Sequence, residues 1–278
     1  MIAQTDIANT HDSTAISGSD HRLVVHLDLF SGIGGFALAA QMVGGIQTIG
    51  FSEIEPYACQ VLAKNFPNIP NHGDIRNIRN IKADLITGGF PCQPFSSCGP
   101  QRGQADARHL WPEMLRVIRE SRPTWVLGEN VAAIDGMALG DVLAGLEAEG
   151  YQVRAFGIPA CAVGAGHIRE RRWILAHSTG DAGELLAGQW EDIPNITASY
   201  GEDGRVGDKW RSLPRVRGGS DGIPRRVDRL RGLGNAIVPQ VAAEILRCMM
   251  RVDSLHNAGG MARELAAQDS ESQTKQNG

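Results

Sequence analysis

The stretch 24-VVHLDLFSGIGGFALAAQMVGG-45 contains the pattern that decides the fold. A short apolar, β-branched run ends at Ser31-Gly32, and a helical pattern follows it. Gly32, Gly34 and Ala37 form G-x-G-x-x-A, in which small residues allow a tight turn and let backbone N–H groups approach a ligand at a helix N-terminus. The stretch therefore predicts a strand, a ligand-binding turn and a helix.

The same alternation of apolar strands and periodic helices continues along the chain. Predicted strands cover 46–54, 83–89, 124–131, 151–160 and 171–177, and predicted helices cover 55–66, 111–121, 139–150 and 238–252. Pro56 suits the first turn of its helix, where a missing N–H costs little. This order predicts the α/β class: a Rossmann-like, mostly parallel sheet with helices on both faces.

Length and composition indicate one main domain. The chain has 278 residues and 42% hydrophobic content, enough for one sizeable core. Its five cysteines are odd in number and scattered, which suits a reducing compartment better than a disulfide framework. No apolar run is long enough to span a bilayer, and the first residues lack the pattern of a signal peptide. We therefore expect a cytoplasmic protein that does not use a membrane.

One segment is strongly basic although the chain carries a formal net charge of -4. Residues 205–231 hold eight Arg and one Lys against three Asp. Such a concentration of positive charge is a candidate footprint for phosphates, and an ordinary solvated loop is the alternative.

Three further residues are assigned to the sheet edge where α/β proteins bind ligands: Glu53 ends a predicted strand, Asp74 lies in the turn before the strand 83–89, and Cys92 follows that strand. Glu53 lies 21 positions after Gly32, which suits a carboxylate that accepts hydrogen bonds from a ribose. Asp74 suits a ligand contact and a helix cap equally well. Cys92 follows Gly88-Gly89 in a loop stiffened by prolines, a position that favours a nucleophile.

Two other interpretations of these residues are weaker. A metal site built from Cys92, Cys98 and His109 lacks a C-x-x-C spacing and a clear fourth ligand, so we expect no metal. A nicotinamide dehydrogenase would share the glycine turn, but it does not require the Pro-Cys-Gln, Glu-Asn-Val and Arg-x-Arg sequences that this chain also contains.

Taken in order, seven sequence blocks resemble those of the cytosine-C5 DNA methyltransferases, in particular the small phage and prophage members. The blocks are DLFSGIGGF, GFSEIEPYA, GDI, GGFPCQPFSSCG, GENV, RERR and GLGNAIVPQ, and they span about residues 24 to 250. The resemblance implies S-adenosylmethionine as methyl donor and a flipped-out cytosine of double-stranded DNA as acceptor. An RNA (tRNA) cytosine-C5 methyltransferase of the same architecture is the alternative, and a catalytically inactive DNA-binding relative is disfavoured because every reactive position is filled.

The resemblance also implies roles for single residues. Cys92 would add to C6 of cytosine, Glu129 would hold the N3 and amine edge, Arg171 would contact O2, and Arg169 would lie by a phosphate. Phe30 would pack on the adenosyl group, Glu53 would bind the ribose hydroxyls, and Asp74 would bind the adenine amine. The remaining expected cofactor contacts are Ser31, Gly32, Gly34, Ile54, Ile75, Pro91 and Asn235.

The expected organisation follows from the same blocks. A tail (1–21) precedes a catalytic domain (22–177), a reduced target-recognition region (178–226) interrupts it, and residues 227–252 return to it before a second tail (253–278). The tails are expected to be disordered. The residues expected to contact DNA are Gln93, Ser96, Arg211, Arg215, Arg217, Arg225 and Arg226. We expect a monomer, and a cognate restriction endonuclease as a second partner is left open.

Overall fold

The computed structural model describes residues 22–91, 110–136, 138–165, 168–178 and 226–254. Within these ranges the chain forms a six-stranded sheet. The strands are β1 (Val24–Leu29), β2 (Ile46–Ser52), β3 (Leu85–Gly88), β4 (Trp125–Val131), β5 (Tyr151–Pro159) and β6 (Glu170–Ser178).

The strand order is β2-β1-β3-β4-β6-β5. β1 pairs in parallel with β2 and β3, and β3 pairs in parallel with β4, whereas β6 is antiparallel to both β4 and β5. The predicted mostly parallel sheet is confirmed. Because β6 is reversed, its first residues lie beside the last residues of β4, with Arg171 opposite Val131. The start of β6 therefore shares an edge with the carboxyl ends of β1 to β4.

Helices cover both faces of this sheet, as the sequence predicts. They are α1 (Gly35–Val43), α2 (Pro56–Asn65), α3 (Trp111–Ser121), α4 (Leu139–Ala148), α5 (Arg226–Asn235) and α6 (239–254). Pro56 is the first residue of α2, and the Glu55 side chain caps that helix by accepting a hydrogen bond from the Ala58 N–H.

The core is divided between the two faces. On one face Met114 and Ile118 of α3 and Leu146 of α4 belong to a buried cluster with Leu29 and Ile86. On the other face α1 and α6 contribute to a second cluster with the intervening strand residues. Burial of both faces explains why the central strands are almost continuously apolar.

One helix departs from the prediction. The sequence predicts that a helix resumes at 238, but α5 already covers Arg226–Asn235. Its glycines disfavour a helix in isolation. Packing compensates, because a Cβ added at Gly232 would lie 3.3 Å from the ring of Tyr57 in α2. α6 also continues through 254, two residues past the predicted end of the preceding segment at 252.

None of the helices in the described part of the chain is long and apolar enough to cross a membrane.

Candidate active site

The turn after β1 has an unusual backbone. Phe30, Gly32 and Gly34 all have positive φ, at 52°, 53° and 89°. A Cβ at Gly34 would lie 2.6 Å from the Phe66 ring, so glycine is required there for packing as well as conformation. No atom of the described residues lies within 4 Å of a Cβ added at Gly32, so within this part of the chain the backbone at the turn borders open space.

Glu53 holds this turn from the end of β2. Its Oε2 accepts a 2.7 Å hydrogen bond from the Gly32 N–H, and its Oε1 accepts from the N–H groups of Ile54 and Glu55 at 2.9 and 2.8 Å. The predicted acidic residue therefore meets the predicted glycine turn across 21 positions of sequence. Ile54 beside it is 62% exposed and so offers an apolar side chain at this edge.

The buried Ser31 side chain belongs to the frame of the turn. Its hydroxyl donates to the Asp28 carbonyl at 2.6 Å and accepts from the Ser52 N–H at 3.3 Å. Its hydroxyl thus ties the end of β1 to the end of β2.

A buried polar chain that the sequence analysis did not identify runs beneath the turn. The ring of His26 lies between Thr48 Oγ1 and Thr87 Oγ1, each at 2.8 Å, and the Thr87 hydroxyl donates to Asp28 Oδ1 at 2.8 Å. Burial lowers the pKa of His26 to about 3 and raises the pKa of Asp28 to about 8. Among the described residues Asp28 Oδ2 finds no hydrogen-bond partner, which agrees with a protonated carboxyl group. The sequence does contain an indication of this polar chain, because His26, Asp28 and Thr87 interrupt otherwise apolar strands.

Asp74 lies next to the end of β2, where the Ser52 hydroxyl donates to the Gly73 carbonyl. Its carboxylate caps the short 3-10 turn Ile75–Asn77 by accepting from the Arg76 N–H, and it pairs with the Arg76 guanidinium at 2.7 Å. These hydrogen bonds lower the pKa of Asp74. Ile75 is buried behind it. The capping role that the sequence allowed is thus present, and the adenine contact stays a prediction.

Glu129 and Arg171 form an ion pair at the same edge. Glu129 Oε1 lies 2.9 Å from Arg171 Nε, and the Glu129 residue is only 7% exposed. Burial raises the pKa of Glu129 to about 7, although the positive charges of Arg171 and Arg169 act in the opposite direction. The carboxyl group therefore changes protonation state close to neutral pH.

Glu129 also lies beside the chain that leads to Cys92. A Cβ added at Gly89 would be 3.4 Å from Glu129 Oε2. The next residue, Asn130, donates a 2.9 Å hydrogen bond to the Phe90 carbonyl. Asn130 is thus a site residue to which the sequence analysis gave no role, although it lies within the GENV block.

Arg169 reaches in another direction, toward the end of α5. Its Nη2 donates to the carbonyls of Gly234 and Ala236 at 2.5 and 2.9 Å. These two residues flank Asn235, whose side chain is exposed. The structure therefore brings together Arg169 and the predicted cofactor-side asparagine.

Several predicted site residues lie outside the described residues: Cys92, Gln93, Ser96, Arg211, Arg215, Arg217 and Arg225. The side chain of Arg226 is likewise not described, and Pro91 is the last described residue before the predicted nucleophile. No group of three or more His, Cys, Asp or Glu suited to a metal ion occurs in the described ranges. Cys98 and His109 of the metal alternative are outside them.

A glycine turn after the first strand, an acidic residue after the second and an acid–arginine pair at the same edge form the arrangement of a Rossmann-like α/β protein. The sequence model of the C-5 cytosine-specific DNA methylase family matches residues 24–200, more than half of the chain. The chain belongs to this family.

Relatives of known name agree with the assignment. The Type II methyltransferase M.HgiCII of Herpetosiphon aurantiacus is 35% identical over 158 residues, covering 54% of this chain and 36% of the relative. The Type II methyltransferase M1.HphI of Haemophilus parahaemolyticus is 30% identical over 217 residues, covering 72% of this chain and 55% of the relative. The chain thus spans between about a third and about half of the length of these relatives.

A solved structure shares the fold. The S. pombe Dnmt2 methyltransferase superposes with a TM-score of 0.50 at 22% identity, over 59% of this chain and 55% of that chain. The likeness supports the α/β architecture.

Proposed function

We propose that the protein is a DNA (cytosine-5-)-methyltransferase, which transfers a methyl group from S-adenosylmethionine to C5 of a flipped-out cytosine in duplex DNA. The observation that carries this proposal is the buried Glu129–Arg171 pair beside the backbone that leads into Cys92. Membership of the C-5 cytosine-specific DNA methylase family supports it.

The proposed chemistry begins with the Cys92 thiolate, which forms a bond to C6 of cytosine and makes C5 enamine-like. Glu129 in its protonated form donates a hydrogen bond to N3, and Arg171 stabilises the charge that builds on O2. When bound, S-adenosylmethionine supplies an electrophilic methyl group on a sulfonium, which C5 takes. Solvent then takes the C5 proton, the electron pair of the C5–H bond re-forms the C5–C6 double bond, and the Cys92–C6 bond breaks to return the thiolate.

The residues at the carboxyl ends of β1 and β2 fit this methyl donor. The backbone at Gly32 borders open space, and the exposed Ile54 side chain offers an apolar contact for a flat base. Glu53 accepts three backbone hydrogen bonds within the chain, which leaves acceptor capacity for a ribose hydroxyl. The Asp74 carboxylate is fully engaged by the exposed Arg76, so its proposed contact with the adenine amine replaces part of that pairing. Phe30, Ile75, Pro91 and Asn235 are the other contacts in this proposal.

Double-stranded DNA is the proposed partner. Because C5 and C6 are reached only from the faces of the ring, the base must leave the duplex, at a cost of a few kcal/mol. The arginines of residues 205–231 are proposed to offset this cost by contacting phosphates or bases.

A covalent trap tests the proposal. Bisulfite sequencing of DNA from cells that express the protein first identifies the methylated site. A duplex with 5-fluorocytosine at that site, incubated with the protein and S-adenosylmethionine, should then give a denaturant-resistant adduct whose peptide contains Cys92, because fluorine cannot leave as the proton does. Cys92→Ala should give none.

Three outcomes would contradict the proposal: an adduct at Cys98, an undiminished adduct in Cys92→Ala, or methylation of tRNA in preference to duplex DNA when the two compete. The last result would favour the RNA methyltransferase instead.

A further inference from the structure

Arg169 is already bound to main-chain atoms. Each of the two carbonyls, those of Gly234 and Ala236, accepts a hydrogen bond from the same nitrogen, Nη2. Since a guanidinium Nη carries two protons, these two bonds use both of them. The Gly234 carbonyl belongs to the last turn of α5, where free carbonyls and the helix dipole both favour a cation.

The Nε of Arg169 is also shielded, although the residue as a whole is only partly buried. Its Nε is buried and has no hydrogen-bond partner among the described residues. Burial and the neighbouring charge of Arg171 lower the pKa of Arg169. Three of the five N–H donors of the guanidinium, those of Nη2 and Nε, are therefore directed into the protein.

The segment that Arg169 holds, 232–237, crosses the glycine turn. A Cβ at Gly232 would lie 3.5 Å from the Ile33 side chain, and the space beside Gly35 is filled by Ile237, whose Cγ1 lies 2.5 Å from an added Cβ. Arg169 therefore connects the start of β6 to a segment that packs on the β1–α1 turn.

We propose that Arg169 is a positioning residue: it fixes the segment 232–237, and with it Asn235, against the cofactor-binding turn, and it does not bind a DNA phosphate. This inference rests on the proposed function, because it assigns Asn235 to the S-adenosylmethionine pocket. This role explains why Arg169 lies two residues before Arg171. The chain at the start of β6 then positions both the Glu129–Arg171 pair and the segment 232–237.

The test compares Arg169→Ala with Arg169→Lys and with Arg172→Ala. Arg172 is a matched control, since it lies only three residues away, on β6, but pairs with Asp135 on the neighbouring 3-10 turn. S-adenosylmethionine affinity is measured by calorimetry without DNA, and affinity for plasmid DNA of mixed sequence is measured at several salt concentrations.

We expect Arg169→Ala to weaken S-adenosylmethionine binding by about tenfold, the effect of losing charge-assisted hydrogen bonds that are partly exposed. The dependence of DNA affinity on salt should stay that of the wild type. Arg169→Lys should recover part of the cofactor affinity, and Arg172→Ala should keep all of it. If Arg169→Ala does not fold, Arg169→Lys alone should show weaker cofactor binding with an unchanged salt slope.

The opposite pattern would overturn the inference. A salt slope lowered by about one unit in Arg169→Ala, with cofactor affinity unchanged, would assign Arg169 to a phosphate. A wild-type chain that binds no S-adenosylmethionine would overturn the proposed function itself and this inference with it, a result separate from any effect of the variants.

Discussion

The side chain of Asn130 holds the carbonyl of Phe90 at 2.9 Å, two residues before Cys92. The same side chain accepts a 2.9 Å hydrogen bond from the Val131 N–H through Oδ1. The residue after the proposed base-holding acid therefore also fixes the backbone that leads to the proposed nucleophile. The dipeptide Glu129-Asn130 thus supplies both the proposed contact with the base and the hydrogen bond that holds the backbone before Cys92.

Asn130→Asp tests the donor half of this contact. The substitution keeps the volume and the acceptor but replaces the donor with an oxygen that faces the Phe90 carbonyl. Formation of the 5-fluorocytosine adduct should slow by roughly 10- to 100-fold, because a misplacement of about 1 Å has effects of that size. S-adenosylmethionine affinity, measured by calorimetry, should stay at the wild-type level. An adduct rate equal to that of the wild type would show that this hydrogen bond does not position Cys92.

Glu129→Gln tests the protonation state of the acid. Since the pKa of Glu129 in the free protein is raised to about 7, the carboxyl loses the proton it would donate to N3 as the pH rises through that value. Single-turnover methylation of a verified target should therefore fall on the alkaline side. In Glu129→Gln the rate should be lower overall, but this alkaline decline should be absent because an amide donates at every pH. A decline that persists in Glu129→Gln would assign the titration to another group.

Asp28→Asn tests the buried polar chain through stability. The pKa of Asp28 is raised to about 8 in the fold, from an ordinary value of 3.8, so the carboxyl favours the folded state below pH 4 and this contribution is lost as the pH rises toward 8. Asparagine stays neutral and keeps the acceptor for Thr87. The free energy of unfolding of the wild type, relative to this variant, should therefore fall on the order of 2–5 kcal/mol between pH 4 and pH 8.

Urea denaturation of both proteins at several pH values measures this difference. His26 has its pKa lowered to about 3, so its own contribution grows as the pH rises from 3 to 6.5, in the opposite direction. That contribution occurs in both proteins and cancels in the comparison. A difference independent of pH would show that Asp28 is ionised in the fold.

Asp74→Ala tests the cofactor pocket. Loss of the carboxylate should weaken S-adenosylmethionine binding in calorimetry while the unfolding transition stays cooperative. Arg76→Ala is the matched control, because it removes the partner of the exposed ion pair but leaves the Asp74 carboxylate in place. Equal affinity in wild type and Asp74→Ala would remove Asp74 from the pocket.

The sequence by itself determined the alternation of strands and helices, and hence the Rossmann-like class. Apolar periodicity is a local property, so β1, α1 and α3 were readable from a few residues each. The turn at Gly32 and Gly34 was readable for the same reason, since its glycines satisfy a local backbone requirement at positive φ. The motif residues Glu53, Asp74, Glu129 and Arg171 were assigned from the order of their blocks.

Only the tertiary structure decided how these residues meet. The reversal of β6 places Arg171 against Glu129, and no local pattern specifies that antiparallel pairing. The helix α5 forms although its glycines disfavour it, because packing against Tyr57 depends on a residue far away in sequence. The bonds from Arg169 to the carbonyls beside Asn235 join positions more than 60 residues apart. Such contacts arise from burial and from the need to satisfy polar groups in three dimensions, which a one-dimensional pattern does not contain.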